Sequence, residues 1–134
     1  MQSMIRISDA AVIALHTADY LARQEKPLSS AGEIARALMV SYNHLSKVLQ
    51  QLTKAGLLLP ARGPRGGFAL SPAGRKGRVR DFISVIDGPP LSSECLLKHK
   101  VCGSRVCVFG NFLRDTNKRF KKVLDRKISD FGKN

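Results

Sequence analysis

The stretch SYNHLSKVLQQLTKAGLLLPARGPRGGFAL, residues 41–70, decides the fold. Its first half carries Leu45, Val48, Leu49 and Leu52 at i, i+3, i+4 and i+7, the spacing of a helix with one buried face. Ser41 stands just before that run, where a hydroxyl accepts from the first unpaired N–H groups of a helix. Gly56 follows it, with the residue type best suited to a helix C-terminus. The pattern then changes. Residues 57–59 and 68–70 are short apolar runs, and between them lie Gly63, Pro64, Gly66 and Gly67 with Arg62 and Arg65. That composition predicts a β-hairpin with a basic, glycine-rich tip.

Working outward, Ser30 is followed three residues later by Glu33, a capping-box pattern, and Ile34, Ala35 and Leu38 give the next residues an apolar helical face. Two short helices joined by a brief polar turn make a helix-turn-helix. Further upstream, Val12, Leu15, Ala18, Tyr20, Leu21 and Ala22 recur at helical spacing, with Ser8 or Asp9 as cap and Pro27 past the end. The expected fold class is therefore mainly α with a small β-hairpin wing: a winged helix-turn-helix. Downstream, Gly74 and Gly77 argue against a helix over 71–77. The next helix is expected from Arg78 to Asp87, stopped by Gly88, Pro89 and Pro90. Beyond an irregular loop, Phe109, Phe112, Leu113, Thr116, Phe120, Val123, Leu124, Ile128 and Phe131 mark one face of a single long helix starting at Cys107. A helix that long, ending a small domain, suits packing on a second subunit; packing on the first helix within a monomer is the alternative. The expected organisation is a winged-helix DNA-binding domain over 1–90, a cysteine-containing loop over 91–107 and a dimerisation helix over 108–134.

Charge indicates the partner. The 134 residues hold 23 Lys and Arg against 10 acids, a formal net charge of +13 with a pI near 10.3. Such a balance favours a polyanion: nucleic acid first, an anionic membrane surface second. Between Glu33 and Asp81 there is no acidic residue, while Arg36, Lys47, Lys54, Arg62, Arg65, Arg75, Lys76, Arg78 and Arg80 all fall there. A surface facing phosphates needs that exclusion, because each carboxylate would repel the backbone. In a winged helix the second helix of the motif enters the major groove, N-terminal residues first. Ser41, Tyr42, Asn43 and His44, with Lys47 one turn on, are therefore the candidate DNA contacts; Asn pairs bidentately with adenine, and Ser and His reach phosphates or base edges. Arg62 and Arg65 are the candidate wing contacts. The competing reading of Asn43 and His44 is ordinary exposed helix positions.

Asp9 and Asp19 interrupt the N-terminal apolar residues, so these do not form a secretory segment, and no apolar run reaches bilayer length. The expected location is the cytoplasm, where thiols stay reduced. No Ser/His/Asp arrangement and no glycine-rich nucleotide loop after a strand is present, so an enzyme is not expected. All three cysteines, Cys95, Cys102 and Cys107, fall within SECLLKHKVCGSRVC, residues 93–107. Their spacing is neither the C-x2-C of structural zinc sites nor a ferredoxin run. By itself it leaves three readings open: buried unreactive thiols, zinc with His99 as fourth ligand, or a metal cluster.

Ser41, His44-Leu45, Val48, Leu52, Ala55-Gly56-Leu57, the wing Gly63-x-x-Gly66-Gly67-Phe68 and SVIDG at residues 84–88 together carry a resemblance. On these the chain resembles the Rrf-type (BadM-like) winged-helix transcriptional regulators over nearly its whole length. The resemblance implies a homodimer that crosses its long C-terminal helices and binds pseudo-palindromic double-stranded promoter DNA. Cluster-binding members carry three cysteines in this loop, so it also implies an iron–sulfur cluster on Cys95, Cys102 and Cys107. The IscR-like branch completes a two-iron cluster with a His shortly after the third cysteine. In this chain Val108, Phe109 and Gly110 follow Cys107, and no His comes later. The NsrR-like branch completes a four-iron–four-sulfur cluster with an Asp near the N-terminus of the partner subunit, and Asp9 in RISDAA, residues 6–11, occupies the matching place. The four-iron form is therefore the expected one. His99, an exogenous thiol or water are the other candidates for the fourth ligand, and capping of the first helix is the other role for Asp9. Residues 71–80 depart from the family pattern, with extra glycine and basic residues. The expected function is a regulator, a repressor in its simplest form, whose operator affinity follows a cluster that senses nitric oxide, redox or iron status. One alternative is a cluster-free repressor of the same fold, switched by its thiols or a partner. Another is a redox enzyme or electron carrier using the same cysteines.

Overall fold

The computed structural model describes residues 6–90, 95–97, 101–103 and 105–131. Among them run α1 (Asp9–Arg23), α2 (Ala31–Leu38), α3 (Tyr42–Lys54), β1 (Leu58–Ala61), β2 (Gly67–Leu70), α4 (Pro72–Lys76), α5 (Val79–Asp87) and α6 (Phe112–Leu124), then a short 3₁₀ turn at Ile128–Asp130. The expected class holds: a mainly helical chain with one antiparallel hairpin, in which Leu58 pairs with Leu70 and Ala61 with Gly67.

Local chemistry sets the helix starts. Ser8, Ser30 and Ser41 each sit in extended backbone, and each hydroxyl accepts from an amide three residues on: Ala11, Glu33 and His44, all at 3.1 Å. Asp9 is therefore the first helical residue and Ser8 the cap. The Lys26 ammonium hydrogen-bonded to Glu33, with Ser30 beside it, holds the Glu33 carboxyl below the usual carboxylate range. Gly56 ends the third helix at φ +82°, as its type suggested.

One core binds the motif together. Ile13, Ala14, Ala18 and Leu21 of α1 meet Ile34 and Ala35 of α2 and the α3 stripe Leu45, Val48, Leu49 and Leu52. Leu57, Leu58 and Leu70 bring the root of the hairpin into the same core, Phe82 brings α5, and Ile128 brings the C-terminal turn. A second cluster joins Ala11, Val79, Ile83, Phe120 and Leu124, so α6 packs on α1 and α5 of its own chain.

Two expectations need correction. Residues 72–76 are helical despite Gly74. Ser71 Oγ accepts from Gly74 N–H at 2.9 Å, and Pro72 occupies the first turn, where its missing N–H costs nothing. Gly74 is a close-approach residue: a Cβ there would run into the Leu57 carbonyl. The long helix is also shorter than expected. It starts at Phe112, not Cys107, and stops at Leu124. After it the chain bends back, and Lys127 bridges Arg78, with Val79 N–H donating to Arg126 O and Ile128 N–H to Gly77 O, both at 3.0 Å. Ile128 thus reaches the core by a β-bridge, not on a helix face.

Candidate nucleic-acid interface and thiol pocket

The helix-turn-helix consists of α2, the turn at residues 39–41, and α3. Burial of the Leu45–Val48–Leu49–Leu52 stripe leaves the opposite face of α3 to solvent. Tyr42, Asn43, His44 and Lys47 are all exposed. By helical spacing Asn43, Lys47, Gln50 and Lys54 form one row at i, i+4, i+7 and i+11, and Gln50 and Lys54 are exposed as well. Gln50 was not among the residues singled out from the sequence. Its distance of one turn from Lys47, away from the apolar stripe, was the available signal. Ser41 is exposed too, but its hydroxyl is engaged as the α3 cap. In the turn, Met39 adopts φ +57° and is 91% exposed, a large apolar side chain beside the front of α3.

The hairpin carries Arg62 and Arg65 exposed at its tip. Its root is fixed twice. Leu58 lies in the core, and Ser29, 1% exposed, exchanges two backbone hydrogen bonds with Phe68: Ser29 N–H to Phe68 O at 3.0 Å and Phe68 N–H to Ser29 O at 2.8 Å. The wing is thus tied to the linker between α1 and α2 as well as to α3.

The third feature lies between α5 and α6. Cys95, Cys102 and Cys107, all half-buried, line one pocket of about 270 Å3 together with Arg105, Asn111 and Arg114. No disulfide joins them. Gly103 at φ +60° and Gly110 at φ +62° make the turns that fold the loop around it. The Phe109 N–H donates to Cys107 Sγ at 3.5 Å. The Arg105 guanidinium donates to the carbonyls of Cys102 and Val101, at 3.3 and 3.4 Å. Among the described residues, no three His, Cys, Asp or Glu side chains converge closely enough to hold a metal ion. Asp9 is exposed on the first turn of α1 and does not line the pocket. Its neighbour Ser8 is clamped to the end of α5, with its N–H and hydroxyl donating to the two Asp87 carboxylate oxygens at 2.8 and 2.5 Å. His99 lies outside the described residues.

No helix among the described residues is long and apolar enough to cross a membrane. The family model for Rrf2, described as iron-dependent transcriptional regulator, matches residues 7–130. The IscR regulator of Aliivibrio salmonicida is 30% identical over 113 residues, covering 84% of this chain and 63% of that protein. The chain thus spans less than two thirds of the length of that curated relative. Among solved structures, CymR, the global cysteine regulator of Bacillus subtilis, is similar with a TM-score of 0.76 at 25% identity, covering 96% of this chain and 97% of that one. An IscR from T. potens is similar with a TM-score of 0.65 at 25% identity, covering 93% and 84%. These relatives are transcriptional regulators, not enzymes. Matched over almost its whole length, from the start of α1 to the 3₁₀ turn, the chain belongs to the Rrf2 family of transcriptional regulators.

Proposed function

We propose that this protein is a cytoplasmic, homodimeric repressor that binds pseudo-palindromic promoter DNA, and that an iron–sulfur cluster at the thiol pocket sets its operator affinity. The observation that carries the reading is the gathering of all three thiols on one pocket against the first turn of α6. The donor set fits the group in kind. Thiolates are the usual ligands of such clusters, backbone N–H groups aimed at sulfur tune them, and Arg105 and Arg114 offset their negative charge. When bound, the cluster supplies a centre that reacts with oxidants and nitric oxide. Cys95, Cys102 and Cys107 would hold it, with Asp9 of a second copy as fourth ligand. A carboxylate is a harder ligand than thiolate, which makes that position the readily opened one. Because Asn111, Leu113 and Arg114 wall the same pocket, movement of the thiols bears on α6. Leu113, Phe120 and Leu124 are buried, so α6 passes movement to α5 and α1. In a dimer that alters the separation of two reading helices, which must match half-sites one helical turn of DNA apart.

On DNA, the row Asn43, Lys47 and Gln50 faces base edges, with Tyr42 and His44 at the groove entrance. Ser41 holds the helix end in place, and Arg62 and Arg65 meet phosphates. Arg65→Ala is expected to weaken binding across sequences alike and to lower the salt slope of log K by about one unit. A titration series in salt reads it, and an unchanged slope removes the wing from the phosphate contacts.

The second reading is a cluster-free regulator switched by its thiols or by a partner. It is favoured by the likeness to CymR and by the absence, among the described residues, of a converged ligand set. One experiment separates the two. Anaerobically purified protein is expected to contain iron and acid-labile sulfide with visible absorption, and the Cys95→Ala/Cys102→Ala/Cys107→Ala variant to contain none. Protein without iron or sulfide under those conditions sinks the cluster reading. An identical spectrum in the triple variant moves the cluster elsewhere.

A further inference from the structure

On another side of α6 lies a groove of about 560 Å3 lined by Arg80, Arg114, Lys118 and Lys121, with Phe120 and Leu124 beneath them. Arg114, Lys118 and Lys121 stand at i, i+4 and i+7, so they share one helix face, and all three are exposed. Arg80 reaches the groove from α5. Its guanidinium is held by Asp125, whose Oδ1 accepts from Nε at 3.0 Å and Nη2 at 2.5 Å. Among the described residues no acidic side chain lines the groove, and Asp125 sits at its edge, paired with Arg80. Arg80 has Asp125 as its counter-anion; like charges one turn apart on Arg114, Lys118 and Lys121 destabilise the helix, and a bound anion would relieve that repulsion.

Two features separate this groove from the general basicity of the chain. Arg119 and Lys122 of the same helix are equally exposed but do not line it. The exposed apolar side chains of α6, Phe112 and Val123, share a face with Arg119 at i, i+7 and i+11, opposite Arg114, Lys118 and Lys121, so the apolar surface available to a second copy is not this one. The volume falls in the range of small-molecule sites, about 300–1,000 Å3, and is more than a single phosphate fills. Arg114, Lys118 and Lys121, with the Asp125-paired Arg80 beside them, over an apolar floor suit several negative charges carried by a compact organic body.

We infer that the groove between α5 and α6 is a binding site for a phosphorylated small molecule of the nucleoside diphosphate class. The phosphates lie among Arg80, Arg114, Lys118 and Lys121, and the organic body lies toward Pro90 and Leu124. Arg114 also lines the thiol pocket, so the two sites share a wall. The inference does not depend on iron or on a cluster.

The test uses the full chain and the fluorescent N-methylanthraniloyl derivative of ADP at about 0.15 M salt, where diffuse attraction is screened. Saturable binding is expected, with inorganic pyrophosphate competing. Lys118→Glu/Lys121→Glu is expected to weaken it about tenfold or more, while Arg119→Glu/Lys122→Glu, with the same charge change on other faces, stays within about twofold. Circular dichroism checks folding; should the reversal unfold α6, Lys118→Gln/Lys121→Gln takes its place with the same expected loss. Equal weakening by both pairs means diffuse attraction and overturns the site, as does the absence of saturation. Displacement of the probe by a short random-sequence DNA duplex, lost with the same two lysines, also overturns it and makes the groove a DNA surface.

Discussion

Phe82→Ala is expected to remove about 3–5 kcal/mol of folding free energy. Phe82 is fully buried and is the α5 side chain in the main core, where it joins residues from α1, α2, α3 and the wing root. Truncation loses the transfer energy of the ring and leaves a cavity whose walls cannot collapse freely. One wall is backbone: a Cβ built on Gly77 would come within 3.5 Å of the ring, and Gly77 O is tied to Ile128 N–H. Domains of this kind hold about 5–15 kcal/mol in total, so the loss is a large share. Urea unfolding followed by circular dichroism measures it. A change under about 1 kcal/mol means that the ring is not packed as described.

Gly67→Ala has the second large expected effect, and it strikes function first. A Cβ at Gly67 would lie 2.5 Å from Ser29 O, 2.6 Å from Ser29 C and 3.0 Å from Ser30 N. All three are backbone atoms, so no rotamer change relieves the clash. The wing must move off the linker, breaking both Ser29–Phe68 hydrogen bonds and leaving buried polar groups unpaired at about 1–3 kcal/mol each. Ser30, which caps α2, lies next to the break. The expected result is a protein that keeps its helical circular dichroism, exchanges the Ser29 and Phe68 amides faster, and binds operator DNA about tenfold or more weakly. Unchanged amide exchange refutes the two-point anchoring of the wing.

What the sequence made legible, and what it hid, follows from the range of the forces involved. Ser30, Ser41 and Gly56 act on amides and dihedral angles within a few residues, so their roles are readable in order along the chain. The α3 stripe is equally plain, and with it the exposed row opposite. Gly74 is different: a glycine needed for close approach to Leu57 looks, in one dimension, the same as a glycine that breaks a helix. The overlong final helix has a related cause. No glycine or proline lies between Phe112 and Phe131, and the apolar period continues through Ile128, so nothing local marks the end at Leu124. The end comes from the pairing of Lys127 with Arg78, a tertiary event. The cysteines were located by sequence, but their shared wall with Asn111, Leu113 and Arg114 depends on how α6 begins.

The return of Ile128 to the core has a further consequence at the ribosome. The helix-turn-helix, wing and α5 are complete by Asp87, yet the core they enclose also needs Ile128. About forty residues separate the two, and at ~5–20 residues per second their synthesis takes about 2–8 s. For that interval the nascent chain holds its DNA-reading elements around an unplugged core, with the sides of α1 and α4 that the C-terminal turn covers left open. This is the window in which a chaperone would meet the chain, and in which a slow stretch of codons before Ile128 would raise the yield of misfolded product.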